Sequence, residues 1–206
     1  DDESEEAALG TMLHACMEHG TTPENPEDAE AVAWCREMEN ALCKKYLGEE
    51  IRYALVWRES RVFERVDRLF SGKPDMVAVR DFKALVVDYK FGRLPVAAAE
   101  CNLQLSALAV LVMDMFDEGD IDEVFVCILQ PYASRKEPAV CRYTRESVEQ
   151  ARAFFRACIE QAQDEHAPLK PSEKACRYCR AQSSCPAVKL ALVQVTSGDL
   201  TEAWEE

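Results

Sequence analysis

The sequence predicts a mixed α/β fold in which helices flank a central sheet of parallel and antiparallel strands. The first observation is a pair of helical segments, at 7–19 and 26–46, that open the chain. The second is a series of short apolar segments with strand-like composition, at 51–57, 62–70, 75–79 and 84–89. The third is a long apolar helix followed by two more strands, an order typical of an α/β core.

Periodicity and turn residues support the elements of the N-terminal half in order. Apolar side chains recur at helical spacing in both opening helices, and Gly48 is expected to end the second. Ser71-Gly72 and Arg80-Asp81 supply turns between the later strands. Segment 96–116 predicts a helix that is buried on most sides, because almost all of its side chains are apolar.

The C-terminal half adds two strands and a helix. The apolar run within 121–130 predicts a central buried strand, whereas 139–143 is expected at a sheet edge, and 146–163 has the spacing of an amphipathic helix. We expect a single domain over residues 1–206. Its expected parts are acidic N-terminal helices (1–48), an α/β core (49–165), a cysteine-rich segment (166–190) and an acidic tail (191–206).

Formal charge is unevenly distributed along the chain. The total is −14, from 24 basic and 38 acidic residues, which by itself argues against contacts with nucleic-acid phosphates. Residues 1–50 carry fourteen acidic and three basic side chains, whereas residues 51–198 carry twenty and twenty-one. The acidity therefore belongs to the two ends, and the middle of the chain remains compatible with nucleic acid.

Neither a membrane span nor a secretory signal is evident, since the longest apolar run, near 105–113, is too short to cross a bilayer. Without a secretory signal a reducing, cytoplasmic environment is expected, so we expect no disulfides among the ten cysteines. Seven of them are scattered and are expected mostly as small core residues: Cys16, Cys35, Cys43, Cys101, Cys127, Cys141 and Cys158.

Two acidic residues and a lysine form the most informative pattern. Asp75 opens one predicted strand, and Asp88 and Lys90 lie near the end of the next. Adjacent antiparallel strands would bring the two carboxylates to one end of the sheet, and Asp88 and Lys90 share a face because side chains alternate. Two carboxylates and a main-chain carbonyl suit Mg²⁺ or Mn²⁺, and a lysine there can orient a metal-bound water. The alternative is a hairpin with ordinary surface charges.

Gly72-x-x-Asp75 followed by Asp88-x-Lys90 resembles the signature of the PD-(D/E)XK nuclease superfamily in its RecB-like form. Upstream, Gly10-Thr-Met-Leu-His14 resembles the Gly-x-x-x-His helix motif of RecB-like exonucleases, and the resemblance covers roughly residues 8 to 186. Asp88-Tyr-Lys-Phe-Gly92, Asn102-Leu-Gln104 and Gln130-Pro131 resemble in particular a phage-encoded RecB-like family. A C-terminal cysteine triplet, described below, is similar to that of the CRISPR adaptation exonuclease. The resemblance as a whole implies a restriction-endonuclease-like core and a metal-dependent nuclease activity.

Two further positions match the same family. Glu64 occupies the place of an acidic residue on the strand before Gly72, and Gln104 resembles the glutamine of the helix that follows the lysine strand. Leu108 stands where the family usually has tyrosine, which weakens the expectation that this helix contacts DNA.

The resemblance implies a role for each matching residue. The implied metal ligands are His14, Asp75, Asp88 and, through its main-chain carbonyl, Tyr89. The implied catalytic residues are Asp75, Asp88, Lys90, His14, Gln104 and Glu64. Taken without the resemblance, His14 is equally explained by packing on the sheet, and Glu64 by pairing with Arg65 or Arg68.

Cys176-x2-Cys179-x5-Cys185 follows a proline-rich break. Three cysteines so close together predict metal ligands, the alternative being three unrelated core residues. The spacing resembles the C-terminal triplet of RecB-like nucleases, which implies a structural 4Fe–4S cluster, or Zn²⁺, that pins the C-terminal segment to the N-terminal helices. The family's fourth cysteine precedes the Gly-x-x-x-His helix, and we expect it to be missing upstream here unless Cys16, Cys35 or Cys43 replaces it.

We therefore expect a Mg²⁺- or Mn²⁺-dependent DNA nuclease, and specifically an exonuclease acting on DNA ends or single strands. The resemblance implies a phage or prophage origin, a bacterial host cytoplasm, and a phage recombination or replication protein as partner. Basic residues available to line a DNA path are Arg58, Arg61, Arg65, Arg68, Lys73 and Arg93. The alternatives are a non-catalytic DNA- or protein-binding module of such a complex and an acidic DNA mimic. Retention of Asp75, Asp88 and Lys90 favours the enzyme.

Overall fold

The structure is a computed structural model that describes residues 5–117, 119–133, 138–177 and 179–189. The predicted acidic tail, 191–206, lies outside the described residues. The helices are α1 (Glu5–His19), α2 (Pro26–Leu47), α3 (Leu103–Asp114), α4 (Arg145–Gln163) and α5 (Glu173–Cys176). The strands are β1 (Leu55–Arg58), β2 (Val62–Phe63), β3 (Ser71–Gly72), β4 (Met76–Arg80), β5 (Lys83–Tyr89), β6 (Glu123–Leu129) and β7 (Val140–Thr144).

Five strands form one mixed sheet in the order β1-β4-β5-β6-β7. β5 and β6 are parallel and are connected through α3, whereas the other neighbouring pairs are antiparallel. β2 and β3 form a separate two-stranded hairpin. The predicted mixed α/β fold is confirmed, and β7 lies at the sheet edge as expected.

The sheet separates two apolar cores. Because side chains alternate along each strand, Leu85, Val87 and Tyr89 face a core shared with α1 and α2. Val86 and Val126 face the opposite core, which α3 and α4 cover. Four of the seven scattered cysteines are buried as predicted, namely Cys16, Cys35, Cys43 and Cys127, whereas Cys101 and Cys158 are exposed.

Local signals explain where α2 begins and ends. The side chain of Asn25 accepts hydrogen bonds from the backbone N–H groups of Glu27 and Asp28 at 2.9 and 3.3 Å, and Pro26 takes the first helical position. Gly48 ends the helix with φ of 83°, a left-handed conformation that glycine adopts without steric cost. The expectation that Gly48 closes this helix is confirmed.

Three predicted elements differ from the observed ones. Segment 62–70 is not one strand, because Glu64 accepts a hydrogen bond from the Asp67 N–H at 2.9 Å and its own N–H donates to the Phe70 carbonyl at 3.0 Å, which closes a tight loop. Ser71-Gly72, predicted as a turn, is β3. The helix predicted from residue 96 begins at Leu103, because the Asn102 side chain caps it by accepting from the Leu105 N–H at 3.2 Å.

The chain divides into two compact units, Asp1–Ile159 and Glu160–Glu206. The first contains both sheets, and the second contains α5 and the three clustered cysteines. The predicted boundaries at 48, 165 and 190 stay predictions. Within the described ranges, every helix is either too short or too polar to cross a bilayer.

Candidate active site

Asp75 and Asp88 meet at one end of the sheet. β4 and β5 pair in the register Met76 with Val87, so the next positions outward, Asp75 and Asp88, lie opposite each other. The backbone N–H of Tyr89 donates to Asp75 Oδ2 at 2.6 Å. The side chain of Asp75 is 11% exposed and that of Asp88 is 3% exposed. Adjacent antiparallel strands thus bring the two carboxylates together, as the sequence predicts.

Asp88, Lys90 and Gln104 form a connected group on the α3 side of the sheet. The Lys90 Nζ lies 2.7 Å from Asp88 Oδ2 and donates to Gln104 Oε1 at 3.3 Å. The Gln104 Nε2 donates to Asp88 Oδ1 at 2.7 Å. Asn102 caps α3, which begins at Leu103, so Gln104 lies in the first turn of that helix. The predicted trio is brought together, although Gln104 is exposed rather than buried.

His14 lies beside Asp75, together with an acidic residue that the motif comparison missed. The His14 Nδ1 is 3.5 Å from Asp75 Oδ1 and 3.5 Å from Glu59 Oε1. The ring packs edge-on against Tyr89 and Phe91, with centroids 5.8 and 5.4 Å away. The Glu59 Oε2 also pairs with Lys73 at 2.6 Å. α1, the end of β1 and the start of β4 therefore converge on one point.

Glu59 follows β1 and takes a strained backbone conformation. Its φ is 53°, which is uncommon for a residue with a Cβ, and its N–H donates to the Asp75 carbonyl at 3.2 Å. Backbone strain of this kind is concentrated at functional sites. The available sequence signal was strand pairing, because β1 pairs Arg58 with Met76 and so brings the next residue, Glu59, beside Asp75.

Burial and mutual repulsion disfavour the charged forms of both aspartates. Burial, followed by the charge of Asp88, raises the pKa of Asp75 to about 7, despite the hydrogen bond from Tyr89. Burial also raises the pKa of Asp88, and the Lys90 ammonium opposes that effect. A bound divalent cation would offset the repulsion between the two ionised carboxylates, so their proximity favours cation binding.

The residues at this point fit a divalent cation. Ligand atoms of His14, Glu59 and Asp75 all lie within 4.8 Å of one another, and no other such group of three exists among the described residues. Asp88 is outside that group but acts electrostatically on Asp75. Its buried Oδ2 accepts no hydrogen bond of ordinary geometry, although Lys90 is close. Oxygen-rich donor sets of this kind suit Mg²⁺ or Mn²⁺. The main-chain carbonyl of Tyr89 stays a predicted ligand.

Glu64 lies in a different environment from these ligands. Its wholly buried carboxylate accepts from Arg152 at 3.2 Å and from Arg156 at 2.9 Å, and Arg152 also binds Asp114. Burial alone would raise its pKa, but the hydrogen bonds from Arg156 and the Asp67 N–H lower it to about 2. The structure therefore places Glu64 in an ion cluster with residues of α3 and α4, and it groups Glu59 rather than Glu64 with His14 and Asp75. The catalytic role of Glu64 stays a prediction.

A buried network supports the site from the α2 side of the sheet. The Arg58 guanidinium binds Glu39 through two hydrogen bonds of 2.9 and 2.6 Å and donates to the Tyr89 hydroxyl at 2.5 Å. The Tyr89 hydroxyl in turn donates to Glu39. Burial and the Glu39 charge raise the pKa of Tyr89 well above its usual range, so the phenol stays protonated. Arg58 directly precedes Glu59, and Tyr89 directly follows Asp88, so the network fixes the strand ends that carry both ligands.

The three clustered cysteines do not form a compact single-ion site among the described residues. Cys179 is exposed, Cys176 and Cys185 are half-buried, and all three are free thiols. Their sulfur atoms are not gathered within 4.8 Å in the part of the chain that the structure describes. Iron–sulfur and zinc sites require four ligands as a rule. The cluster and its fourth ligand stay predictions without geometric support.

Comparison with known proteins gives the family of this chain. A family model described as the PD-(D/E)XK nuclease superfamily matches residues 1–186, which include every residue of the site. One solved structure, described as "Crystal structure of SSO0001", is similar with a TM-score of 0.42 and 14% identity, covering 89% of this chain and 71% of that chain. A similarity of that size adds no argument about function. Among curated proteins, none matches the chain.

Proposed function

Because this chain belongs to the PD-(D/E)XK nuclease superfamily, we propose that it is a Mg²⁺- or Mn²⁺-dependent deoxyribonuclease that hydrolyses phosphodiester bonds. His14, Glu59, Asp75 and Asp88 would hold the cation, and Lys90 would orient the attacking water. The observation that carries the proposal is the convergence of three ligand atoms within 4.8 Å, next to the Asp88–Lys90 pair.

The carboxylates and the imidazole create the cation site. When bound, a divalent cation supplies a Lewis acid for the phosphate and lowers the pKa of water. Asp75 is preoriented because the Tyr89 N–H fixes its Oδ2 and leaves Oδ1 facing His14. The Glu59 backbone N–H donates to the Asp75 carbonyl, which fixes the spacing of the two residues. A site preorganised in this way loses little entropy when the cation binds.

Lys90 is positioned to orient the attacking water and to stabilise charge at the reacting phosphate. Asp88 and Gln104 hold its ammonium group at 2.7 and 3.3 Å. An ammonium group in this position can orient the attacking water and stabilise negative charge that develops on the phosphate oxygens. Gln104 acts on both partners, since it donates to Asp88 and accepts from Lys90. We assign Gln104 a positioning role.

We further propose exonuclease action on DNA ends or single strands, in the recombination or replication of a phage or prophage. The support is the resemblance of the Gly10–His14 motif to RecB-like exonucleases, together with the 3.5 Å distance from His14 to Asp75. A 5′- and a 3′-labelled strand, incubated in parallel, distinguish this action from internal cleavage. An exonuclease releases labelled mononucleotides or short products from one end and leaves a closed circular single strand intact.

Digestion of end-labelled single- and double-stranded DNA with Mg²⁺, Mn²⁺ or EDTA tests the proposed activity. We expect metal-dependent cleavage by the unmodified protein and a loss of at least about 100-fold in Asp88→Ala and Lys90→Ala. Lys83→Ala is the matched control, because Lys83 lies at the opposite end of the same strand and pairs with Glu123 at 3.8 Å. Equal activity in all four proteins, or none in the unmodified protein, contradicts the proposal and favours a non-catalytic module.

The proposed iron–sulfur cluster needs a separate measurement. Protein purified without oxygen should absorb near ~400 nm if Cys176, Cys179 and Cys185 hold such a cluster, whereas a zinc site would give no absorption band there. If Cys179→Ser binds as much iron or zinc as the unmodified protein, ligation by the three cysteines is contradicted.

A further inference from the structure

The β2–β3 hairpin, residues 62–72, lies in the chain between two of the proposed metal ligands. It begins three residues after Glu59 and ends three residues before Asp75. Three large apolar side chains on it are exposed, with Phe63 at 43%, Val66 at 69% and Leu69 at 38%. An apolar surface this close in the chain to a phosphodiester-cleaving site is a candidate contact for its substrate.

The hairpin is anchored firmly on its inner side. The buried Glu64 carboxylate is satisfied by Arg152, Arg156 and the Asp67 N–H, as described above. Gly72 packs so closely on α3 that an added Cβ would lie 2.8 Å from Leu111 Cδ1 and 2.9 Å from Leu108 Cδ2. A hairpin held at both strands presents its outer side chains with little further ordering, which favours binding.

Four of the six basic residues that the sequence offered for a DNA path pair with a carboxylate in the structure. Arg58 is bound to Glu39, Arg65 to Asp117, Lys73 to Glu59 and Arg93 to Glu27. The other two candidates, Arg61 and Arg68, have no acidic partner among the residues described. Arg68 lies in the hairpin, and Arg61 directly precedes its first strand.

Arg68 and Phe63 already form a stacked pair. The Arg68 guanidinium lies 4.3 Å from the centre of the Phe63 ring. Arg68 takes φ of 54°, a conformation that costs energy for a side-chain-bearing residue and turns the loop here. Arg61 donates to the Ser71 hydroxyl at 3.1 Å on the facing strand. An aromatic ring and a planar cation are thus held on one small exposed hairpin, and a second cation directly before it is held against its far strand.

We propose that the hairpin surface formed by Arg61, Phe63 and Arg68 binds single-stranded nucleic acid beside the cleavage site. An unpaired base stacks on the Phe63–Arg68 pair, and Arg61 contacts the neighbouring phosphate. The ring needs an exposed base face, which a base-paired duplex does not offer, so single strands are preferred. This inference rests on the proposed nuclease function and assigns it a substrate form.

Binding of fluorescein-labelled oligo(dT) in EDTA, followed by fluorescence anisotropy, tests the inference without cleavage. We expect Phe63→Ala and Arg68→Ala each to weaken binding about tenfold, within the range for loss of a stacked base. Arg61→Ala should lower the salt dependence of binding by about 0.7 in the log–log slope. Thermal unfolding of each variant verifies that the fold is kept.

Tyr53→Ala is the matched control, because Arg52 stacks on the exposed Tyr53 ring at 4.8 Å, beyond the opposite end of the β1–β4 pair. We expect it to bind like the unmodified protein. Unchanged binding in Phe63→Ala, or an equal loss in Tyr53→Ala, overturns the inference and would leave the hairpin as a protein-contacting surface.

The two proposals fail in different ways. If the unmodified protein cleaves DNA with metal but the hairpin variants bind and cleave normally, the hairpin inference fails and the nuclease stands. If the hairpin variants lose binding but no metal supports cleavage, the nuclease proposal fails and the single-strand surface stands.

Discussion

The backbone N–H of Tyr89 donates to the carboxylate of Asp75 at 2.6 Å, across the end of the β4–β5 pair. The Tyr89 side chain points to the other face of the sheet and joins Glu39 and Arg58. One residue therefore connects a proposed metal ligand to a buried ion pair on α2 and β1. The site and the core beneath it are coupled through Tyr89.

Breaking the Glu39–Arg58 pair should be more damaging than replacing the whole network. Glu39→Leu or Arg58→Met alone leaves one buried charge without its partner, and we expect a loss of about 3–5 kcal/mol in the free energy of unfolding. The triple variant Glu39→Leu, Arg58→Met, Tyr89→Phe removes every polar partner together and should recover most of that loss. Urea denaturation gives the free energy of unfolding of each of the three variants relative to the unmodified protein. A triple variant no more stable than the worse single variant contradicts this account.

Cation affinity should rise with pH between about 6 and 8. The pKa of Asp75 is raised to about 7, so in the metal-free protein part of this carboxyl is protonated near neutral pH. Because the folded-state pKa is higher than that of the unfolded chain, this group favours folding at low pH, and its contribution is lost as pH rises through about 7.

A bound cation requires the ionised form, so calorimetric titration of Mn²⁺ should show tighter binding and less proton release at pH 8 than at pH 6. Asp75→Asn should weaken binding at both pH values and remove this part of the pH dependence. Equal affinity of the unmodified protein at pH 6 and 8 would contradict the combination of a raised Asp75 pKa with ligation by Asp75.

Glu64→Gln should reduce stability at neutral pH but not in strong acid. The folded-state pKa of Glu64 is lowered to about 2, so its stabilising contribution is present above the unfolded value and is lost as pH falls toward 2. We expect Glu64→Gln to lose about 3 kcal/mol at pH 7, and the difference to vanish near pH 2. Glu149→Gln is the control, because it also pairs with Arg152 but is 67% exposed. A constant difference across pH contradicts the assignment.

Gly72→Ala should destabilise the hairpin contact with α3. The added methyl group would lie 2.8 Å from Leu111 Cδ1, and the surrounding leucines are buried, so we expect a loss of about 1–3 kcal/mol. Gly92→Ala serves as the control, because nothing lies within 4 Å of the corresponding position. Thermal unfolding distinguishes the two, and equal melting temperatures would show that the leucines move aside at little cost.

Much of the architecture was readable from sequence because hydrophobic periodicity and caps act locally. Asn25, Gly48 and the alternation along β5 needed no knowledge of the fold. The error at 62–70 arose because this segment carries strand-like residues, but the Glu64 carboxylate binds the Asp67 N–H and closes a loop. Competition between a side chain and strand pairing for backbone N–H groups is not visible in composition.

The residues proposed to form the cation site were harder to predict than the strands. Asp75, Asp88 and Lys90 follow from strand alternation, whereas Glu59 reaches the site through the β1–β4 register and a positive φ. Glu64 lies nearer to Gly72 in sequence but faces α4, since alternation along the hairpin turns it inward. Arg58 was predicted to be available for a DNA path, but its guanidinium is bound to Glu39. Long-range pairing decides such cases.

Calorimetric titration of Mn²⁺ into the unmodified protein, Glu59→Gln, His14→Ala and Glu64→Gln is the most direct test of the proposed site. The account predicts one binding site, affinity reduced at least about tenfold in Glu59→Gln and His14→Ala, and unchanged affinity in Glu64→Gln where that variant is folded. Normal affinity in Glu59→Gln together with lost affinity in folded Glu64→Gln would contradict it.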